Sequence, residues 1–204
     1  MRADHFYWEL VMAVVSHKAI LVGTTGLVFH NNQCVDKDNP YSVAKSRITA
    51  KGKRATEADR LELKRLEFVS GMYWDQELGP YVPGSNIRKM LIEGARKEKM
   101  GKQFESGIFI PMDVPVEYEG PREIEAMWKD GRFTWTTVAG NQSASILRTR
   151  PRFKQWKLQF EILREDLLVS EDALKSALNI AQIAVGLCDA RSIGYGRFKI
   201  EGFN

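Results

Sequence analysis

The residues of this chain best suited to chemistry are glycines, aromatics and cations, and they occur together. Residues 194–198 read Gly-Tyr-Gly-Arg-Phe. Two glycines let a backbone lie close to a flat or charged group. Tyr195 offers a stacking face, and Arg197 and the nearby Arg191 offer planar donor forks for phosphate. A second stretch, residues 82–96, reads Val-Pro-Gly-Ser-Asn-Ile-Arg-Lys-Met-Leu-Ile-Glu-Gly-Ala-Arg. Pro83 and Gly84 forbid a regular element before Ser85, which is a favoured helix N-cap. The amides at Gly84, Ser85 and Asn86 then form an anion site at a helix start, reinforced by Arg88 and Lys89. Arg148, Arg150 and Arg152 alternate, so on an extended chain they share one face. Lys51, Lys53 and Arg54 can clamp a strand from another side. The common chemistry is the binding of a polyanion, with a salt dependence that grows with each phosphate contact.

Each feature also has a plainer role. Gly-Tyr-Gly is an ordinary turn sequence. Ser85 caps a helix whatever the function. Alternating arginines protect a sheet edge from aggregation. Tyr73, Trp74 and Tyr81 are expected in the core, with base stacking as the alternative. Trp128 and Trp135 are expected to pack an insertion.

Catalysis has less support. The histidines are His5, His17 and His30, and no two have metal-pair spacing. His17 follows the first expected strand and is the one candidate general acid or base. Asp36 and Asp38 sit in an Asn/Asp-rich loop, where paired carboxylates can hold a metal. Phosphate-loop, dinucleotide and nucleophile-elbow fingerprints are absent. Cys34 and Cys188 are too few and too far apart for a disulfide scaffold or a four-cysteine zinc site. No metal or cofactor is expected.

The chain has 204 residues, 44% hydrophobic and 27% charged, which fits one globular domain with a real core. No apolar run is long enough to cross a bilayer. Glu9 and the aromatics around it spoil a signal peptide, so the expected location is the cytoplasm. The net charge of +4 is unevenly spread. Residues 41–102 hold 14 Lys/Arg against 8 Asp/Glu, residues 103–145 hold 3 against 7, and residues 146–204 hold 10 against 7. Basic segments flanking an acidic one suggest an anionic partner.

The positioning elements follow from periodicity. Residues 6–15 read as a buried first strand and 31–55 as a long polar loop. Thr56 and Asp59 resemble a capping box for a helix over 57–70. Ile87, Met90 and Leu91 line one face of a helix after Ser85. Residues 107–118 read as a strand interrupted by two prolines, 119–131 as an acidic loop, 132–138 as a short strand and 139–147 as a mobile loop. Residues 148–163 read as one strand, and Ser170 opens a helix with a stripe from Leu174 to Val185. Residues 198–203 form the last strand. Without the insertions, at about 17–82 and 119–147, the order is β-α-β-β-α-β. The expected fold is therefore α+β, a single domain (1–204) with a ferredoxin-like, RRM-like core.

The stretches 82–96 and 190–203 resemble the helix start and the C-terminal glycine-rich loop of the RAMP superfamily. These include the Cas7-like RNA-binding subunits of CRISPR effector complexes. Asn86 stands where a second serine is usual, and the chain is shorter than most Cas7 subunits. The resemblance implies a non-catalytic binder of single-stranded RNA with a role in antiviral defence. Its implied partners are RNA, copies of itself along that RNA, and other CRISPR-complex subunits. The contact residues would be Gly84, Ser85, Asn86, Arg88 and Lys89, the arginines Arg148, Arg150 and Arg152, then Arg191 and Gly194–Arg197. The acidic 113–130 segment of one copy would then meet the basic 45–65 segment of the next. Two alternatives stay open. One is an interaction protein that mimics or blocks a CRISPR complex. The other is a Cas6-like, metal-independent endoribonuclease using His17. The residues do not distinguish RNA from single-stranded DNA.

Overall fold

The computed structural model of the chain describes residues 14–139 and 146–204. His5, most of the expected first strand and residues 140–145 of the expected 139–147 loop lie outside the described residues. In chain order the strands are β1 (Val14–Gly23), β2 (Leu27–Val28), β3 (Trp74–Asp75), β4 (Gly79–Val82), β5 (Ile108–Phe109), β6 (Val114–Pro115), β7 (Thr134–Ala139), β8 (Ile146–Phe153), β9 (Lys157–Glu165) and β10 (Phe198–Phe203). The helices are α1 (Pro40–Thr49), α2 (Glu57–Gly71), α3 (Gly84–Arg96), α4 (Gly101–Gly107), α5 (Ile124–Asp130) and α6 (Glu171–Ile180).

The central sheet has strand order β10-β1-β9-β5, with every neighbouring pair antiparallel. Alternation sets its two faces. In β1, His17, Ala19 and Leu21 are buried while Ser16 and Lys18 face out; in β9, Leu158, Phe160 and Ile162 are buried. Ala19, Leu21, Leu158, Phe160 and Ile162 join Ile87, Met90 and Leu91 of α3 and Leu174, Ala177 and Leu178 of α6 in one apolar core. Each fully buried Leu, Ile, Met or Phe among them contributes roughly 1.5–3 kcal/mol. Two smaller sheets, β2-β8-β7 and β3-β4-β6, flank this unit. The fold is α+β.

Two helix starts are as expected. Thr56 and Asp59 form a capping box at α2, and the Ser170 side chain accepts from the Ala173 amide at α6. Elsewhere the chain departs from expectation for identifiable reasons. Residues 31–55 contain α1, not only loop. Asn39 accepts from the Tyr41 amide and Pro40 occupies the first turn, so the Asn-Pro pair that suggests a turn is here a helix start. The acidic 119–131 stretch contains α5, ended by Gly131 at φ 75°. Residues 148–163 are two strands, β8 and β9. The apolar alternation hides the turn between them because Trp156 is buried in it, donating from Nε1 to the Thr25 carbonyl at 2.7 Å. Residues 17–23 belong to β1, so the long excursion begins only after Gly23.

Candidate nucleic-acid interface

The C-terminal loop is held in a costly backbone. Gly186, Cys188, Ala190, Gly194 and Gly196 all have left-handed φ, between 56° and 93°. For the two non-glycine residues this costs roughly 1–2 kcal/mol each. Hydrogen bonds over-determine it. The Arg197 guanidinium donates to the carbonyls of Val185 at 2.6 Å and Arg191 at 3.0 Å. Thr25 Oγ1 donates to the Gly194 carbonyl and accepts from the Arg197 amide, both at 2.9 Å. The Gly196 amide donates to the Gly26 carbonyl, and its own carbonyl accepts from Leu187, both at 2.9 Å. Arg197 and Gly196 are thus engaged inside the loop. Gly194 faces open space. Sequence reasoning missed Thr25 and Gly26, whose only signal is a short Gly-Thr-Thr-Gly run after β1.

This loop, the β7–β8 hairpin and α3 enclose a cleft of about 1010 Å³. Trp135, Arg150, Arg191 and Arg197 line it, with Arg96 and Lys97 at the α3 side. Trp135 does more than pack an insertion: its ring centroid lies 4.7 Å from that of Tyr195. The two form a half-buried aromatic pair beside the arginines. The cations are matched by carboxylates: Arg191 by Glu93, Arg150 by Asp189 at 3.3 Å, and Arg96 by Glu105 at 2.6 Å. The exposed Arg96–Glu105 pair is worth only about 0–1 kcal/mol, so there a phosphate can replace the carboxylate at little cost, whereas Arg150–Asp189 and Arg191–Glu93 are more enclosed.

The start of α3 differs from expectation. Ser85 is not the N-cap; Pro83 occupies that position, and the helix begins at Gly84. The Gly84 amide donates to Asp113 Oδ1 at 2.9 Å, so a carboxylate already sits at this helix start. Gly84 is needed for close approach, because an added Cβ would lie 2.8 Å from the Met112 carbonyl. Arg88 donates to the Ile108 carbonyl at 2.8 Å and to that of Glu105, tying α3 to the end of α4. Asn86 lies beside the Tyr73 hydroxyl and the Cys188 thiol. Ser85 and Lys89 are exposed.

The remaining candidates lie elsewhere. Arg148, Arg150 and Arg152 alternate along β8, with Thr149, Pro151 and Phe153 buried between them. Arg148 pairs with Glu67 at 2.6 Å, and the Arg152 stem lies where a Cβ on Gly26 would point. Lys51 pairs with Asp59 at 2.6 Å; Lys53 and Arg54 are exposed on a short 3-10 turn. Arg65 on α2 pairs with Glu125 on α5, so the basic and acidic segments expected to join neighbouring copies meet within one chain. Tyr73 packs on Phe29 and Tyr81, and Trp128 on Phe68. Asp36 and Asp38 lie on an exposed turn, and no group of three or more His, Cys, Asp or Glu suits a metal among the described residues. No helix among them is long and apolar enough to cross a membrane.

His17 lies within β1 rather than after it. It is 4% exposed, stacks on Phe203 and accepts from Arg164 Nε at 2.8 Å. Such a group does not reach a phosphodiester in solvent. Burial, with Arg164 beside it, holds its pKa below the usual 6.5. The folded state resists the proton that the unfolded chain takes near 6.5. Stability is therefore complete above that value and falls as the pH drops towards the lowered one. Melting temperature should decline from about pH 7.5 to about pH 5.5, and less steeply in His17→Gln. Equal slopes in the two proteins would contradict a neutral, enclosed His17.

No family model matches the chain, and no curated protein does. Its backbone is similar to a chain in the cryo-EM structure of the Type III-B Cmr-beta bound to cognate target RNA. The TM-score is 0.53 at 14% identity, covering 94% of this chain and 60% of that one. This chain thus spans about three-fifths of that neighbour's length. The crystal structure of Cmr6 from Pyrococcus furiosus also aligns, at TM-score 0.40 and 10% identity over 92% of this chain and 99% of that one. The first of these likenesses, at 14% identity, concerns the fold alone.

Proposed function

We propose that this protein binds single-stranded RNA through the cleft between the β7–β8 hairpin and the C-terminal loop. The observation that carries the reading is Trp135, packed on Tyr195 and lining the cleft with Arg150, Arg191 and Arg96. Stacking on aromatics with phosphate contacts to arginines is how single strands are held without sequence preference. The fold likeness to a chain of an RNA-bound Cmr-beta assembly supports it. So does the strand order β10-β1-β9-β5 with α3 and α6 in the same apolar core, which is compatible with a ferredoxin-like core carrying two insertions. In this reading the protein is a single-domain, non-catalytic subunit of a CRISPR-type assembly. Lys53 and Arg54 continue the contact outside the cleft, and copies line up along the strand.

The test is a titration of the purified chain with labelled, mixed-sequence single-stranded RNA at several salt concentrations. Binding that weakens linearly on a log–log salt plot, with a slope of about −0.7 per phosphate contacted, is expected. The bound particles should grow in mass along longer RNA and collapse on ribonuclease treatment. An absence of binding at low salt would overturn the reading. Capture of a protein partner that survives ribonuclease would favour an interaction protein instead.

A further inference from the structure

A second cavity, of about 660 Å³, lies among the Asn32–Val35 turn, α1, α2 and β8. Its wall is cationic, with Lys37, Lys45, Arg148 and Arg150. Its carboxylate, Glu67, is engaged by Arg148 at 2.6 Å and by the Thr149 amide at 2.8 Å. Arg150 Nε is buried and lies 3.3 Å from Asp189 Oδ2, in an ion pair without hydrogen-bond geometry. Cys34 opens on to this space. Lys45 Nζ lies 3.0 Å from Cys34 Sγ and 3.0 Å from Ser70 Oγ, so two contacts fix the ammonium against the sulfur. Ser42 Oγ donates to the Cys34 carbonyl at 3.1 Å and fixes the turn that carries it.

We propose that Cys34 is a covalent modification site for small anionic disulfides. The cationic wall binds the anionic arms of the reagent, and the Lys45 ammonium, 3.0 Å from the sulfur, favours its thiolate form. The Cys34 thiol gives its proton to water. The thiolate attacks one sulfur of the disulfide, a Cys34–S bond forms, and the reagent's own S–S bond breaks. The electron pair leaves on the departing thiolate, which takes a proton from water. Cys34 is oxidised to a mixed disulfide, and half of the reagent is reduced to thiol. Burial acts to raise the Cys34 thiol, but hydrogen bonds from Lys45, Ser70 and Ser42 outweigh it and hold it below its usual 9.0. Cys188 is an internal control: enclosure pushes its thiol up to about 12. The inference does not rest on RNA binding.

The full chain would be incubated with oxidised glutathione, which is anionic, or with cystamine, which is cationic, and the adducts located by peptide mass mapping. A single adduct on Cys34 is expected. It should form faster with oxidised glutathione than with cystamine, and salt should narrow the difference. Lys45→Met should slow the reaction roughly threefold to tenfold, lost thiolate being partly offset by a more nucleophilic sulfur. It should also move the midpoint of the rate–pH profile upward, and Lys45→Arg should restore both. Equal labelling of Cys188, an equal or faster reaction with cystamine, or an unmoved pH midpoint in folded Lys45→Met would overturn the proposal. The comparison of the two disulfides needs no variant, so a misfolded Lys45→Met leaves it decisive.

Discussion

Gly196→Ala should unfold or severely destabilise the protein, while Gly194→Ala two residues away should be mild. Both positions have left-handed φ, 70° and 93°, so both alanines meet the same intrinsic strain of roughly 1–2 kcal/mol. Their surroundings differ. A Cβ on Gly196 would lie 2.0 Å from the Leu187 carbonyl oxygen and 2.7 Å from its amide nitrogen, and backbone atoms cannot rotate away. A Cβ on Gly194 would meet nothing within 4 Å. Relieving the clash at 196 means breaking the Leu187-to-Gly196 and Gly196-to-Gly26 hydrogen bonds and shifting Arg197 off the Val185 carbonyl. The expected loss for Gly196→Ala is about 4 kcal/mol or more. Denaturant titrations of the two variants beside the parent would measure it. Equal losses would mean that the loop does not pack on Leu187.

The second large effect concerns binding. Trp135→Ala and Tyr195→Ala should each weaken single-stranded RNA binding by about tenfold or more, since a stacked base contributes roughly 1–3 kcal/mol. Neither should change the salt slope, because neither carries charge. Arg150→Gln should behave in the opposite way, with a modest loss of affinity and a slope smaller by about one phosphate contact. The double variant Trp135→Ala/Tyr195→Ala should lose less than the sum of the single losses, because rings 4.7 Å apart are in contact and removing either one also unseats the other. Aromatic variants that bind RNA as tightly as the parent would remove the cleft from the binding reading and leave charge alone.

Pattern made much of the framework legible. Period-two alternation marked β10, the Thr56–Asp59 and Ser170 caps marked α2 and α6, and the stripe of Ile87, Met90 and Leu91 marked the buried face of α3. These signals are local: a cap or a periodicity is satisfied within a few residues, whatever the rest of the chain does. Where a local signal was ambiguous the reading failed. Asn39-Pro40 serves a turn and a helix start equally well. Trp156 kept the apolar alternation running through a turn.

The candidate site was legible by residue type and not by role. Residue types alone determined that this chain carries two glycine-rich stretches flanked by arginines, and that Arg148, Arg150 and Arg152 share a strand face. Only the tertiary structure decided which of those groups face outward. Arg88 caps α4, Arg197 braces its own loop, Asp113 fills the start of α3, and Trp135 turns to meet Tyr195. The physical reason is that a guanidinium or an open amide takes whichever acceptor or donor the fold brings within about 3 Å. Those partners lie far away in sequence, Asp113 being 29 residues from Gly84 and Thr25 being 172 from Arg197.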